Sequence, residues 1–346
     1  MAPPATISQI HERYTPVLAN AAQGAFGKGH SPAELPNQLG IWQTTLLAPV
    51  SLNGVGVHSG AEVCLTLRPA QANTGIVFVR TDVDNIEDAT IPALTHNVCE
   101  VTLSSKIGSH AGHVVGTVEH LMAALSMLRV DNVIVEIDGA EVPIMDGSAA
   151  PFVESIERVG IKTLSATRRV IRIVRPVRVE VGDSYCELLP DTQSVFEAVI
   201  DFESSVIGRQ SYSITLDGDN FDEAVTSART FCLLSHIEAM HSAGLALGGS
   251  VDNVVVVDDN EDEVLNKEGL RSENEFVQHK LLDAIGDLYL LGLPMIGRYR
   301  GYKSGHALHN KLLNKLFMEP DAFELVDLAH SQNIPQKTSE KILAAE

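Results

Sequence analysis

Apolar positions recur with the helical period of about 3.6 residues at residues 276–291, FVQHKLLDAIGDLYLL, and the stretch holds no proline. One stripe should face a core and consists of Val277, Leu281, Ala284, Leu288 and Leu291. The titratable residues share a separate arc, namely His279, Lys280, Asp283 and Asp287. We therefore predict a helix that carries four ionisable side chains on one side of an otherwise apolar surface.

Two of these side chains, His279 and Asp283, lie four residues apart and can reach one point, as the ligands of a divalent metal ion do. A lone His-x-x-x-Asp pair more often marks a solvated helix face with a salt bridge. The flanking Phe276, Leu282 and Ile285 weaken that interpretation because they leave little of the helix exposed. Both interpretations stay open at this point.

A second helix is predicted over residues 117–127, TVEHLMAALSM, with Thr117 near its N-cap. Its apolar stripe consists of Val118, Leu121, Met122 and Leu125. Glu119 and His120 lie off this stripe, and such a pair alone favours a solvated surface. The alternative is that His120 binds a metal ion and Glu119 takes a proton from a water beside it. Spacing alone does not join His120 to His279.

Strand-like alternation precedes the helical patterns, from residue 44 onward and again from residue 168 onward. Four matches recur at offsets of 121 or 122 residues: Gly60 with Gly182, Cys64 with Cys186, Pro69 with Pro190, and VDNV at 130–133 with VDNV at 251–254. We therefore predict an α+β protein of two similar domains from an internal duplication. Each domain should layer helices on a β-sheet, with the helices meeting between the sheets.

The 346 residues exceed one ordinary core, so two domains are expected. Residues 1–40 are rich in proline and glycine, and we predict a flexible N-terminal extension there. The first domain is predicted at 41–166 and the second at 167–346.

Composition narrows the possible partners and the compartment. With 25 basic and 45 acidic residues the formal net charge is −20, which should repel nucleic acid and anionic lipid. An anionic substrate therefore needs a local basic pocket. The four cysteines form no CxxC pair and are expected to be buried free thiols. No signal peptide or integral membrane segment is apparent, so we predict a cytoplasmic protein.

Five motifs stand in one order along the chain: TVEHLMAAL, PIMDGSAAPF, ARTF, HKLLDAIGDLYLLG and YKSGHAL. In these motifs the sequence resembles the UDP-3-O-acyl-N-acetylglucosamine deacetylases, the zinc amidases that commit sugar to lipid A in Gram-negative bacteria. The resemblance runs from about residue 42 to about residue 316. It implies hydrolysis of the N-acetyl group of an acylated UDP-sugar, which gives the free amine and acetate. We expect a monomer that acts on this small-molecule substrate.

The resemblance also implies catalytic roles. Zn²⁺ would be held by His120, His279 and Asp283. Glu119 would be the general base for the attacking water, and His306 the acid or electrostatic stabiliser. Asp287 would hold His306 in its charged form, and Thr230 would donate a hydrogen bond to the oxyanion. Gly305 is expected to make a sharp turn that leaves the His306 imidazole exposed.

Substrate contacts follow from the same resemblance. An inserted unit near 231–250 would form a passage with apolar walls for the acyl chain. The implied substrate-binding residues are Lys280, Phe231, Leu234, Ile237 and Gly249. The chain departs from the family pattern at 299–301 and at His309, which concerns substrate contacts rather than the reaction.

Two rival hypotheses accompany this one. The first is a metal-dependent amidohydrolase acting on a different acetylated amino sugar, which would not need the 3-O-acyl chain. The second is a non-catalytic protein that binds or senses a sugar lipid on the same scaffold. The three ligand candidates together with Glu119 and His306 favour an enzyme. Acyl-chain length preference and the choice between zinc and iron are not set by the sequence.

Overall fold

The computed structural model describes residues 40–216, 222–258, 260 and 262–331. The predicted N-terminal extension therefore lies, except for Gly40, outside the described residues.

The first half of the chain is rich in short strands. Its strands are β1 (Trp42–Leu46), β2 (Val50–Val55), β3 (Glu62–Pro69), β4 (Ile76–Arg80), β5 (Thr90–Pro92), β6 (Val98–Glu100), β7 (Lys106–Gly108), β8 (Val114–Val115), β9 (Val133–Ile137) and β10 (Ile161–Thr167). Its α-helices are α1 (Ile86–Ala89), α2 (Glu119–Met127) and α3 (Ala150–Val159).

The second half adds longer helices to a similar set of strands. Its strands are β11 (Arg169–Ile173), β12 (Val177–Val181), β13 (Ser184–Leu189), β14 (Ser194–Asp201), β15 (Arg209–Thr215), β16 (Phe231–Leu233), β17 (Val255–Asp258), β18 (Glu263–Val264), β19 (Met295–Tyr302) and β20 (Phe323–Asp327). Its α-helices are α4 (Glu223–Thr226), α5 (Leu234–Ser242), α6 (Glu275–Tyr289), α7 (His306–Met318) and α8 (Leu328–Ser331).

Each half contains one main sheet, and the two sheets share a pairing scheme. An antiparallel hairpin, β2–β3 or β12–β13, pairs antiparallel with a central strand, β9 or β19. The central strand pairs parallel with β4 or β14, which in turn pairs antiparallel with β5 or β15. The α+β class is confirmed, and the shared scheme supports the internal duplication inferred from the repeat. The two domain boundaries stay predictions.

The sequence repeat marks equivalent positions in the hairpins but not at VDNV. Gly60 and Gly182 have φ of 66° and 62°, a left-handed conformation that glycine adopts without strain, and Cys64 and Cys186 lie on β3 and β13. The first VDNV leads into the central strand β9, whereas the second leads into β17 of the small sheet β16–β17–β18. The match of 130–133 with 251–254 as equivalent positions is therefore wrong, because the counterpart of β9 is β19.

Helices of the two halves meet at the centre of the molecule, as predicted. Helix α2 packs against α6, which also packs against β14, β15 and α7. A Cβ atom added at Gly286 would lie 1.9 Å from the carbonyl oxygen of Glu119, so the two helices touch backbone to backbone there. One continuous hydrophobic core includes Leu121 and Met122 of α2 and Leu281 and Leu282 of α6.

The ends of α6 and α2 differ from the sequence prediction. Helix α6 ends at Tyr289, two residues early, and Gly292 (φ 79°) follows in the left-handed conformation that commonly stops a helix. Helix α2 starts from Val118, which makes no side-chain cap. Thr117 is therefore not its cap: it has φ of 54°, and its Oγ1 donates to Glu141 Oε1 at 3.0 Å instead.

Two further expectations concern thiols and membranes. All four cysteines are free, but only Cys186 is buried and Cys99 is exposed, so the prediction of four buried thiols is wrong. Cys99 lies on the short edge strand β6, which leaves its side chain accessible. Across the described ranges, no helix combines the length and the apolar character that crossing a bilayer requires.

Candidate metal and catalytic site

Three potential metal ligands converge where α2 meets α6. His120 Nε2 lies 3.5 Å from Asp283 Oδ1, and His279 Nε2 lies 3.4 Å from the same oxygen. The two imidazole rings are nearly perpendicular, with centroids 5.0 Å apart. All three side chains are buried, so the solvated-face interpretations of both helices are wrong. Sequence spacing could not predict that His120 lies near His279, but the packing of α2 against α6 places them together.

The hydrogen bonds around this cluster leave the inward-facing atoms free. His279 Nδ1 lies 3.0 Å from the Ala228 carbonyl oxygen, so it carries the proton and Nε2 offers its lone pair to the centre. Lys280 Nζ binds Asp283 Oδ2 at 2.8 Å and leaves Oδ1 for the centre. His120 Nδ1 is buried and makes no hydrogen bond to any described residue.

This donor set fits a zinc ion. Ligands held about 2.0–2.1 Å from a tetrahedral zinc lie about 3.3–3.4 Å from one another. The separations of 3.4 and 3.5 Å between the imidazole nitrogens and Asp283 Oδ1 match that geometry better than they match hydrogen bonds. Two imidazoles and one carboxylate also leave a fourth position open, which is the pattern of catalytic rather than structural zinc sites.

The protonation states favour metal binding. Burial lowers the pKa of His279 to about 3, which keeps the imidazole neutral at pH 7. Burial alone would raise the pKa of Asp283, but His279 and Lys280 together hold it well below its usual value. The cluster therefore presents a lone pair and a carboxylate, the forms that a cation requires.

Glu119 lies beside the cluster and is held by the chain before α2. The Ser105 amide donates to Glu119 Oε2 at 3.0 Å, and Glu119 Oε1 lies 3.8 Å from His306 Nε2. Burial raises the pKa of Glu119 to about 7, although His306 and His120 oppose that shift. A carboxylate with such a pKa can accept a proton near neutral pH.

His306 opens helix α7 and points toward Asp287. Its Nδ1 lies 2.7 Å from Asp287 Oδ2. Burial alone would lower the pKa of His306, but Asp287 and Glu119 raise it to about 10. The expectation of an exposed imidazole is wrong, because only 9% of the residue is exposed: the ring turns inward to the Asp287 carboxylate.

A cavity of about 320 Å³ has Glu119 and His120 among its lining residues. Most of its wall comes from β16, α5, the loop that follows α5, and β17. The predicted residues in this wall are Thr230, Phe231, Leu234, Ile237 and Gly249. Lys280 is not part of this wall, but its Nζ lies 5.5 Å from the centroid of the Phe231 ring.

Two residues near the site, His58 and Ser105, were missed from the sequence, and a third, His309, was noted only as a departure that concerns substrate contacts. His58, in the loop between β2 and β3, lines the cavity. Ser105 donates through its amide to Glu119 and through Oγ to Asp287 Oδ1 at 2.5 Å. His309 binds Asp287 from the same helix as His306. For His309 the spacing of three residues from His306 was a usable signal, whereas nothing local marked Ser105.

A buried carboxylate and a buried imidazole facing each other beside a three-ligand cluster define a hydrolytic enzyme. A family model described as UDP-3-O-acyl N-acetylglycosamine deacetylase matches residues 43–318. The chain belongs to this deacetylase family.

Several curated relatives match this chain over nearly their whole length. The protein of Acidithiobacillus ferrooxidans is 48% identical over 292 residues, which is 84% of this chain and 94% of the relative. That of Phenylobacterium zucineum is 47% identical over 285 residues, 82% of this chain and 96% of the relative. That of Pasteurella multocida is 44% identical over 297 residues, which is 85% of this chain and 96% of the relative. All three are named UDP-3-O-acyl-N-acetylglucosamine deacetylase. The predicted deacetylase is confirmed at the level of the family.

Proposed function

We propose that this deacetylase hydrolyses the N-acetyl group of UDP-3-O-acyl-N-acetylglucosamine with a zinc ion held by His120, His279 and Asp283. The observation that carries the proposal is the approach of two imidazole Nε2 atoms to one carboxylate oxygen, at 3.4 and 3.5 Å, beside the buried Glu119. We further propose that the enzyme acts as a monomer in the cytoplasm, in lipid A biosynthesis.

A zinc ion held by these residues would supply Lewis-acid chemistry, acidifying a water and polarising the amide carbonyl. Glu119 takes the proton of the attacking water. Its pKa of about 7 gives a base that is available at neutral pH yet strong enough to accept that proton. The Ser105 amide, 3.0 Å from Oε2, holds the carboxylate in one orientation.

The departing nitrogen needs a proton, and His306 can donate one from Nε2. Asp287 accepts from Nδ1 at 2.7 Å and thereby fixes the ring and favours its charged form. Because His306 Nε2 lies 3.8 Å from Glu119 Oε1, base and acid face the same small volume without a direct hydrogen bond.

Thr230 and the cavity complete the site. The Thr230 amide donates to the Gly147 carbonyl at 2.8 Å, and its side chain lines the cavity beside Glu119. Its hydroxyl donates to the oxyanion that develops on the carbonyl, and donors of this kind are worth about 2.7–4 kcal/mol. The acyl chain lies along Phe231, Leu234 and Ile237, while Lys280 meets the polar part of the substrate.

The first experiment separates metal binding from catalysis. Glu119→Gln is expected to keep wild-type metal content, because the ligands are untouched, and to lower kcat by about 10²–10⁴. His120→Ala is expected to lose metal and activity together. Glu157→Gln, on the exposed face of α3, is the matched control and should change neither. Wild-type kcat in Glu119→Gln would contradict the mechanism.

The second experiment addresses the rival amidohydrolase. The cavity is predominantly apolar, and each buried CH₂ contributes about 0.8 kcal/mol. A substrate without the 3-O-acyl chain should therefore be deacetylated at least roughly tenfold more slowly, measured as kcat/KM. Equal kcat/KM for the two substrates would favour an enzyme for a different acetylated amino sugar.

A further inference from the structure

His309 lies in a buried hydrogen-bond network behind the catalytic site. It follows His306 by one turn of α7, and its Nδ1 lies 2.7 Å from Asp287 Oδ2, the oxygen that also accepts from His306. Its Nε2 lies 2.8 Å from the Tyr299 hydroxyl, which lies 2.8 Å from Ser304 Oγ. His309 and Tyr299 are completely enclosed, with 1% and 0% of the residue exposed.

The hydrogen-bond roles in this network can be assigned. Two charged imidazoles on one carboxylate oxygen, with ring centroids 6.3 Å apart, would leave excess positive charge in a buried site. His306 is the charged ring, because it faces the second carboxylate of Glu119. His309 then donates from Nδ1 to Asp287 and accepts at Nε2. Tyr299 donates to that Nε2, since burial raises its pKa well above the usual value and keeps its proton.

Asp287 is held at both carboxylate oxygens. Ser105 Oγ donates to Oδ1 at 2.5 Å, while the two imidazoles share Oδ2. Without His309 one donor to Oδ2 is lost, and the carboxylate can rotate about its terminal bond. Because Asp287 fixes the ring of His306, such a rotation displaces the His306 Nε2 atom.

We propose that His309 is a positioning residue for His306: its Nδ1–H, oriented by the Tyr299 hydroxyl, holds the Asp287 carboxylate so that His306 points at the reacting centre. The inference rests on the proposed role of His306 as the acid. His309 touches neither Glu119 nor any of the three ligand candidates by the hydrogen bonds described, so it acts on the reaction only through Asp287.

The test compares two substitutions at one position in the metal-loaded, full-length enzyme. His309→Leu removes the donor to Asp287, whereas His309→Asn can still donate from its amide but is too short to reach Tyr299. His309→Leu is expected to lower kcat about 10–100-fold, the usual effect of losing such a supporting partner, with KM nearly unchanged. His309→Asn should recover most of kcat. Metal content and Tm, measured for each variant, report any purely structural effect.

Tyr299→Phe provides a second, independent measurement. It should slow the parent enzyme, because His309 loses the hydroxyl that orients it, but should not slow the His309→Asn variant, in which that hydrogen bond is already absent. This comparison tests the positioning role of His309 even if the His309→Leu variant does not fold. Equal slowing by Tyr299→Phe in both backgrounds would overturn the proposal, as would wild-type kcat in His309→Leu or equally low kcat in His309→Asn.

The His306→Ala variant separates this inference from the proposed function. Wild-type kcat in His306→Ala would remove the acid role on which the inference rests. A large loss in His306→Ala with no loss in a folded His309→Leu variant would overturn the positioning role alone.

Discussion

At the scale of single residues, the site holds a carboxylate, Glu119, and an imidazole, His306, whose pKa values are both raised, for different reasons. Burial raises the pKa of Glu119 to about 7, and the paired carboxylates Asp287 and Glu119 raise that of His306 to about 10. Between these values Glu119 has lost its proton while His306 keeps one. Proton removal and proton donation can therefore operate in one enzyme form.

A bell-shaped dependence of kcat/KM on pH follows. The rate should rise as Glu119 loses its proton, at or below about pH 7, because a bound cation lowers the pKa of a neighbouring carboxylate. It should fall as His306 loses its proton near pH 10. Steady-state assays across this range test the curve. In His306→Ala the remaining rate should lack the alkaline fall, and an unchanged alkaline fall would contradict the assignment.

Sequence spacing predicted His279 and Asp283 as a pair because i and i+4 positions share a helix face. It could not predict the burial of Glu119 and His120, because a Glu-His pair off the apolar stripe is normally solvated. Burial here results from a partner helix more than 150 residues away in the sequence. In the sequence, only the family resemblance indicated catalytic and metal-binding roles for these two residues.

At the scale of elements, the close crossing of α2 and α6 depends on a missing side chain. Gly286 lets the backbone of α6 contact the carbonyl of Glu119 directly. The adjacent Thr117, with φ of 54° and a hydrogen bond to Glu141, fixes how the chain enters α2. The position of Glu119 is therefore determined by backbone contacts on one side and by a strained residue two positions before it.

Gly286→Ala tests this crossing. In an unobstructed helix, replacing glycine by alanine stabilises by about 1 kcal/mol. Here the added Cβ would meet the Glu119 carbonyl oxygen at 1.9 Å, so α2 must move, at a cost of about 1–3 kcal/mol for overpacking. We expect a lower free energy of unfolding in urea and a reduced kcat. An increase in stability at full activity would show that the helices do not touch at this point.

Strand order within the sheets was predictable in part. The repeated Gly-x-x-x-Cys hairpins correctly indicated two similar sheets, because a positive-φ glycine turn is a local feature. The repeated VDNV was misleading, because a four-residue match at the start of a strand does not specify which sheet that strand joins. Its second copy directly precedes β17 of the small sheet that borders the cavity.

At the scale of the whole molecule, a buried ion pair links the halves. Arg168, between β10 and β11, donates from Nε to Asp131 Oδ1 at 2.9 Å and from an Nη atom to Oδ2 at 2.7 Å. Asp131 lies two residues before the central strand of the first sheet, and only 2% of Arg168 is exposed. The pair therefore anchors the start of the second half to the first sheet.

Asp131→Ala should be strongly destabilising. Removing one partner of a buried ion pair typically costs about 3–5 kcal/mol, because the remaining charge is poorly compensated. Urea unfolding followed by circular dichroism would measure the change. Asp321→Ala provides the control, since the Asp321–Arg175 pair at 3.8 Å is mostly exposed and should contribute little. Comparable stabilities of the two variants would show that Arg168 does not depend on this carboxylate.

The cluster takes one candidate ligand from α2 and two from α6, and His306, the proposed acid, is the first residue of α7. A polypeptide still being translated cannot assemble this arrangement until His306 and the rest of its helix have been added. Prematurely terminated products that stop before α7 should consequently be inert rather than partially active. A truncated product would then harm the cell only by lacking activity, because it would have no unregulated activity of its own.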